Sequence, residues 1–208
     1  MLIDLHCHTT LSMDGIVSPQ SAARGAREAG LDAVCFTDHD VWWSESDARA
    51  VGQREGVLVL AGVEVTTEVG HVLAFGLDQF DLRMRTFEVL VEAAERSGAA
   101  LVLAHPFRRF YGGRVPSAPS PDDVELAARR RGWDSVHAVE AWNGETRRIE
   151  NLLAVAVAEH LMLPTTGGGD AHRDLSQVGR RPTAIAGLVH SEKELAEAIR
   201  SGDVRAVA

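Results

Sequence analysis

The sequence predicts an α/β fold with a largely parallel sheet that closes, or nearly closes, into a barrel. Short β-rich apolar runs alternate with helical segments from one end to the other, the pattern of strands joined by crossover helices. The chain has 208 residues, of which 45% are apolar, enough for one large core, and at this length a barrel is favoured. A doubly wound open sheet is the structural rival, but no Gly-x-Gly-x-x-Gly turn opens the first helix. No repeat, low-complexity tract or linker divides the chain, so a single domain is expected over residues 1–208.

The first strand is Asp4-Leu5-His6-Cys7-His8-Thr9. Alternation along it puts His6 and His8 on one face, with Cα atoms roughly 6.6 Å apart, so that both imidazoles can close on one metal ion. Leu5 and Cys7 take the other face, where an apolar pair suits packing under a helix. Ser18-Pro19 has the chemistry of a helix start and Gly30 that of its stop. The strand Ala33 to Thr37 follows, ending in Thr37-Asp38-His39-Asp40, then a helix from about Ser44 to Glu55 and the strand Val57 to Glu64. A turn at Gly70 leads into the run His71 to Phe75. Between Met84 and Ser97 the apolar residues Phe87, Leu90, Val91 and Ala94 have helical spacing.

Leu101 to Ala104 is an apolar strand ending in His105-Pro106, and Phe107 to Pro121 reads as a long surface loop. A helix over about Pro121 to Arg131, the strand Ser135 to Trp142 and a helix from about Glu145 to Leu161 come next. Pro164 to Thr166 then runs into Gly167-Gly168-Gly169-Asp170-Ala171-His172. Thr183 to Ala186 is an expected strand. Ser191 opens a last helix, with Glu194 placed for a capping box and Gly202 as its stop, before the short strand Val204 to Val207.

The formal charge of −9 argues against a duplex nucleic acid partner and suits excess carboxylates that serve cations. Cys7 and Cys35, both in apolar runs, are too few for a disulfide framework and read as reduced core thiols. No signal peptide precedes the first strand, and no apolar stretch approaches the ~20 residues that span a bilayer. A cytoplasmic protein with no membrane association is expected.

Five of the nine histidines sit where expected strands end: His6, His8, His39, His105 and His172. In a parallel barrel those ends open on one face, so residues distant in sequence converge there. If the turn at Gly70 sends the chain back down, His71 at the head of the returning strand joins them. Asp14, Glu64 and Asp170 share the placement. Mixed imidazole and carboxylate donors suit zinc, manganese or iron, and a bridging carboxylate suits more than one ion. His137, His160 and His190 fall outside the pattern and read as packing or surface histidines.

With these residues in place, the sequence resembles the polymerase and histidinol phosphatase superfamily, PHP. The resemblance lies in Asp-Leu-His-Cys-His-Thr, Thr-Asp-His-Asp, Gly-Val-Glu-Val, Gly-His-Val-Leu, Ala-His-Pro-Phe-Arg and Gly-Asp-Ala-His, in that order, from residue 2 to about 187. It implies a distorted (β/α)7 TIM-like barrel with two or three divalent ions at its C-terminal mouth. By position, His6, His8, Glu64 and Asp170 would hold the first ion. Glu64 would bridge to a second, held also by His71 and His105, and Asp14, His39 and His172 would hold a third. Asp14 stands where some members have His, and Gly169 where many have Ser. The span from His71 to His105 is too short for the inserted lid domain of some relatives.

Members of the family mostly hydrolyse phosphate esters, and a metal ion that lowers the pKa of water towards ~7 suits these donors to that reaction. The resemblance therefore implies a small phosphorylated substrate, a phosphomonoester such as a nucleotide or histidinol phosphate. Water held at the Glu64-bridged pair would attack, and the third ion, or His39 or His172 in its absence, would stabilise the leaving oxygen. Arg108, then Arg109, are candidate phosphate clamps on a loop at the same mouth. Asn143 would either orient substrate or cap the following helix. Trp42 and Trp43 would either stack on a ring or make a hydrophobic lid contact, and Asp38 would support a ligand from behind. The rival readings are a carboxyl-ester or carbamate hydrolase, a nuclease for short oligonucleotides, and a non-catalytic metal-binding module.

Overall fold

The computed structural model describes residues 1–113 and 115–208, so Arg114 of the expected surface loop lies outside the described residues. Its nine strands are β1 (Leu2–Cys7), β2 (Ala33–Phe36), β3 (Leu58–Thr67), β4 (Gly70–Phe75), β5 (Ala100–Leu103), β6 (Ala138–Asn143), β7 (Thr165–Gly168), β8 (Thr183–Ile185) and β9 (Val204–Ala206). The six α-helices are α1 (Pro19–Glu28), α2 (Glu45–Glu55), α3 (Phe87–Ser97), α4 (Pro121–Ala128), α5 (Arg148–Leu161) and α6 (Glu192–Ser201). One mixed sheet runs in the order β7-β6-β5-β4-β3-β2-β1-β8-β9. Its open edges, β7 and β9, meet where Ala206 N donates to Thr165 Oγ1 at 3.3 Å, and beyond β7 the chain returns to the end of β1, with Asp170 N donating to His6 O at 2.7 Å and His8 N to Ala171 O at 3.0 Å. The result is a distorted, nearly closed barrel.

Ser18, Ser44 and Ser191, at three expected helix starts, each accept a backbone N–H with the side-chain oxygen. Glu194 does not close the expected box on Ser191, because its carboxylate accepts from His190 N instead, whereas Ser120 with Asp123 makes a full capping box at α4 that the sequence reading did not single out. The alternation of strand and helix, however, is interrupted. β3 continues past Glu64 to Thr67 and turns directly into the antiparallel β4, and β8 also runs antiparallel to its neighbours. Glu64 is therefore a mid-strand residue, and the Gly70 turn does send the chain back so that His71 heads β4.

Other boundaries shift for visible reasons. The segment before α3 is a separate 3-10 turn, Leu82–Arg85, and another, Trp133–Ser135, precedes β6. α5 starts at Arg148 and not at Glu145, because Asn143 Oδ1 accepts from Glu145 N and Thr146 Oγ1 and holds that segment in a turn. The expected surface loop after β5 is pinned to the core by buried Phe107 and Tyr111.

Three apolar clusters hold the barrel. Leu5, Leu60, Leu73, Phe75 and Val102 join Leu195 and Ile199 of α6 in one. A second, under α1 and α2, includes Cys7, Val34, Phe36 and Val51, and a third packs β3 to β6 against α3, α4 and α5. Leu5 and Cys7, expected as one apolar pair, thus belong to different clusters. The cause is a register irregularity between Asp4 and Cys7 in the pairing of β1 with β2, which breaks the simple alternation. Both cysteines are buried free thiols.

Candidate metal centre

β1 supplies His6 and, just beyond its end, His8. The loops after β1, β2, β5 and β7 supply Asp14, His39, His105 and the pair Asp170 and His172. Glu64 comes from mid-β3, where an isolated bridge pairs it with His39, and His71 comes from the start of β4. All nine expected side chains meet in one cluster. Four overlapping groups have ligand atoms within 4.8 Å of one another: His8, Asp14, His39 and His172; His6, Glu64 and His105; His6, His8 and Asp170; His39, Glu64 and His71.

Glu64 is at the centre, fully buried. Its Oε1 lies 2.9 Å from His71 Nδ1 and 3.0 Å from His105 Nε2. Its Oε2 lies 3.2 Å from His6 Nε2, 3.1 Å from His8 Nε2 and 3.1 Å from His39 Nδ1, yet makes no hydrogen bond. Asp170 Oδ1 and His39 Nδ1 are likewise buried without a hydrogen-bond partner. Buried polar atoms left this way are costly unless something else binds them.

The donor geometry fits a cation. His6 Nε2 is 3.0 Å from His8 Nε2 and 3.5 Å from Asp170 Oδ1, and His8 Nε2 is 3.3 Å from Asp170 Oδ1. With the two Glu64 Oε2 distances, five edges of one four-cornered figure fall between 3.0 and 3.5 Å. A tetrahedron of donors about 2.0–2.1 Å from zinc has edges of about 3.3 Å. Asp14 Oδ2 is 3.3 Å from His172 Nε2 and 3.6 Å from His39 Nε2, at the exposed side of the cluster.

The charges are strongly coupled. Burial alone would lower the proton affinity of His6, but Glu64, Asp170 and Glu140 overcome it and hold His6 well above the usual histidine range. His8, also disfavoured by burial, is pushed up to about 9 by Asp170 and Glu64. The converse holds for the acids: against burial, the imidazoles keep Glu64 and Asp170 well below the ordinary carboxylate range. His39 goes the other way, to about 4, because burial, with His8 and His71 beside it, outweighs Glu64. Two of these residues hold unusual backbone: His105 has φ 27° and Asp170 φ 55°. Such strain is tolerated where the surroundings fix it.

Behind the cluster, Asp38 accepts from Thr9 N and Oγ1, Ser12 N and Oγ, and Trp43 Nε1 at 2.6–3.1 Å. Ser12 Oγ in turn lies 3.3 Å from His8 Nδ1 and accepts from His39 N, so Asp38 supports both histidines through one hydroxyl. Trp43 is a buried core residue packed on Phe36, which removes it as a stacking platform, while Trp42 is exposed. Arg108 bonds Asp170 Oδ2, Asn143 Oδ1 at 3.1 Å and Thr146 Oγ1 at 3.4 Å. Arg109 is exposed. The Asn143 amide is buried and engaged by Glu140, Asp170, Arg108, Glu145 and Thr146. His137, His160 and His190 lie outside these groups; His137 bonds Leu101 N and Arg200.

Two buried acids escaped the sequence reading. Asp4 accepts from His6 N, Gly169 N and Gly179 N, and burial raises it to about 6 against those N–H donors. Glu140 lies 2.9 Å from His6 Nδ1. The available signal for both was an acid inside an otherwise apolar strand. The missing hydroxyl at Gly169 also has a local reason: a Cβ there would meet Gln177 O at 2.3 Å and Asp4 Oδ2 at 2.7 Å.

A family model described as PHP domain matches residues 4–139. The chain belongs to the PHP family. A second, described as PHP-associated, matches residues 148–204. Over 85 residues this PHP chain is 35% identical to phosphoribosyl 1,2-cyclic phosphate 1,2-diphosphodiesterase of Eggerthella lenta, covering 38% of this chain and 32% of that protein. Over 111 residues it is 31% identical to the 3',5'-nucleoside bisphosphate phosphatase of Chromobacterium violaceum, covering 49% of this chain and 39% of that one. The PHP chain thus spans less than two thirds of the length of either curated relative. The crystal structure of a two-domain protein from Bacteroides vulgatus, described as containing a predicted PHP-like metal-dependent phosphoesterase, matches with TM-score 0.68 and 22% identity over 100% of this chain and 64% of that chain. That likeness is one of fold. Among the described residues, no helix is long and apolar enough to cross a membrane.

Proposed function

We propose that this PHP chain is a metal-dependent hydrolase of small phosphate esters, acting at the C-terminal mouth of a single-domain barrel of seven strand–helix units modified by the β3–β4 hairpin. The observation that supports this most is the convergence of nine donors with Glu64 Oε2 and Asp170 Oδ1 buried and unpartnered. His6, His8, Glu64 and Asp170 would hold one divalent ion. Glu64, His71 and His105 would hold a second, and Asp14, His39 and His172 a third. Zinc, manganese and iron all suit this mixture of donors. When bound, such ions activate water at neutral pH and neutralise phosphoryl charge.

The protein's own groups do the rest. Glu64 divides its carboxylate, with Oε1 towards His71 and His105 and Oε2 towards His6, His8 and His39, which suits a bridge between two positions. His39 and His172, the partly exposed members beside Asp14, would stabilise the leaving oxygen where the third ion does not. Arg108 commits Nη2 to Asp170 and Asn143 and Nε to Thr146, which leaves its other terminal nitrogen for a phosphate oxygen. Arg109 adds charge from the exposed side of the same loop. Asn143 acts on substrate only through Arg108 and Asp170.

The substrate class is a phosphomonoester such as a nucleotide or histidinol phosphate. Exposed Leu11, Met13, Ile16 and Trp42 come from the two loops that carry Asp14 and His39, and they suit an ester whose other half is apolar or flat. The name of the Chromobacterium relative puts nucleotides first in the screen. Buried free Cys7 and Cys35 suit a reducing compartment such as the cytoplasm.

Manganese-loaded protein assayed against nucleoside monophosphates and bisphosphates, histidinol phosphate, an aryl carboxyl ester and a short oligonucleotide tests the reading. Release of inorganic phosphate from a monoester, abolished by a chelator and restored by the ion, is expected. Faster turnover of the carboxyl ester or the oligonucleotide would replace it with one of the other hydrolases, and binding without turnover of any substrate would leave a metal-binding module.

A further inference from the structure

We propose that Glu140 is the positioning residue of the whole centre, fixing His6 in the tautomer that presents Nε2, seating His105 directly and Asp170 by way of the Asn143 amide. The inference rests on reading the cluster as a divalent metal site. Glu140 is 1% exposed and lies between Val139 and Ala141, which pack into the apolar cluster beneath α3 to α5. A carboxylate in such surroundings needs full compensation. It finds all of it among the candidate ligands and their supports: Oε1 lies 2.9 Å from His6 Nδ1, and Oε2 accepts from His105 N at 2.8 Å and from Asn143 Nδ2 at 3.0 Å.

An ionised carboxylate only accepts hydrogen bonds. Once a metal ion displaces the second proton, the one that His6 keeps therefore belongs on Nδ1, and Nε2 offers its lone pair between His8, Glu64 and Asp170. The same rule orients Asn143. Its Nδ2 lies 3.0 Å from both Glu140 Oε2 and Asp170 Oδ2, two acceptors, so its Oδ1 must face Arg108, Glu145 and Thr146, as it does. With Oδ2 of Asp170 engaged by Asn143 and Arg108, Oδ1 is the oxygen left to face His6 and His8. The contact to His105 N also secures a residue at φ 27°. One acid on β6 thus places groups from β1 and from the loops after β5 and β7.

The backbone is shaped around this pair. A Cβ at Gly168 would sit 2.6 Å from Glu140 Oε1 and 2.3 Å from His6 Cβ, so glycine at that position leaves the space through which the two side chains meet.

Glu140→Gln tests the inference. Glutamine offers one acceptor oxygen and a donor amide, so at least one of the three donors now facing Glu140 loses its partner. Zinc(II) affinity, measured by competition against a chromophoric chelator without any substrate, is expected to fall about 10–100-fold. The circular dichroism spectrum should be kept. Glu192→Gln is the control: Glu192 is also buried and accepts from Ala61 N, away from the cluster, so its loss should alter stability and leave zinc affinity unchanged. A second measurement needs no variant. Long-range 1H–15N spectra of zinc-loaded wild-type protein should show His6 protonated at Nδ1. Glu140→Gln binding zinc within twofold of wild type, or His6 protonated at Nε2, would overturn the proposal, and if the variant fails to fold the spectrum alone decides. Wild-type protein that binds no zinc would instead overturn the metal centre, and wild-type protein that binds zinc but releases no phosphate would overturn only the phosphoesterase reading.

Discussion

At the residue scale, the carboxylate of Glu64 decides what the cluster can do, because five imidazoles crowd its two oxygens and three of them meet an oxygen that has no hydrogen bond. Glu64→Gln replaces one of those oxygens by an amide donor. Hydrolysis by that variant is expected to fall by at least ~100-fold, with fewer bound ions per chain, as read by phosphate release and metal content on the same sample. Retained ions and turnover would remove Glu64 from the centre. The coupled charges give a second expectation. His8 titrates at about 9 in the folded protein, against 6.5 ordinarily, because Asp170 and Glu64 outweigh its burial. A raised pKa stabilises the fold fully below about pH 6.5 and progressively less as pH climbs through about 9. Thermal melts of chelator-treated protein should therefore lose stability across that window, on the order of 1 kcal/mol per pH unit from this group. Divalent ions displace those protons, so the gain in Tm on adding zinc should grow over the same range. A gain that shrinks with rising pH would contradict the assignment of His8. The candidate donors were legible because most stand at strand ends, and Glu64 because its strand was expected to end there, although β3 runs on to Thr67. Glu140 and Asp4 were not, since an acid in mid-strand reveals its partner only once distant strands are neighbours.

At the element scale, local chemistry was the more legible part. Serine caps, Gly30, Gly202 and the helical spacing of Phe87, Leu90 and Ala94 place α1, α3 and α6 close to their sequence-based positions. Departures arise where side chains override propensity: the Asn143 turn delays α5, and an irregularity in β1 separates Leu5 from Cys7. Ser120→Ala removes the capping box of α4, which lies outside the cluster. It should cost about 1 kcal/mol in denaturant unfolding and leave metal content unchanged. Gly168→Ala, in contrast, forces a methyl against His6 Cβ at 2.3 Å. Overpacking of that kind costs typically about 1–3 kcal/mol, and here zinc affinity should fall with it because the displaced residue is a proposed ligand. A variant that lost stability with full zinc affinity would show that His6 does not need its present position.

At the scale of the whole molecule, the barrel turns separations of more than a hundred residues into side-chain contacts, such as His6 with Glu140 at 2.9 Å. The alternation of elements and the order of motifs made that convergence readable in the sequence. The sheet order, with two strands running against the rest, was only partly readable. The hairpin at Gly70 was visible, whereas the pairing of β8 and β9 beside β1 depends on contacts that no short segment encodes. The central claim is that this mouth is a divalent metal centre that hydrolyses phosphate esters. The most direct test is elemental analysis of protein purified without added metal, with hydrolysis of an aryl phosphate followed on the same sample and on His8→Ala. Two or more ions per chain, chelator-sensitive turnover and loss of both in the variant are the predicted result. An empty wild-type protein that stays inactive after addition of manganese, zinc or iron would contradict the account.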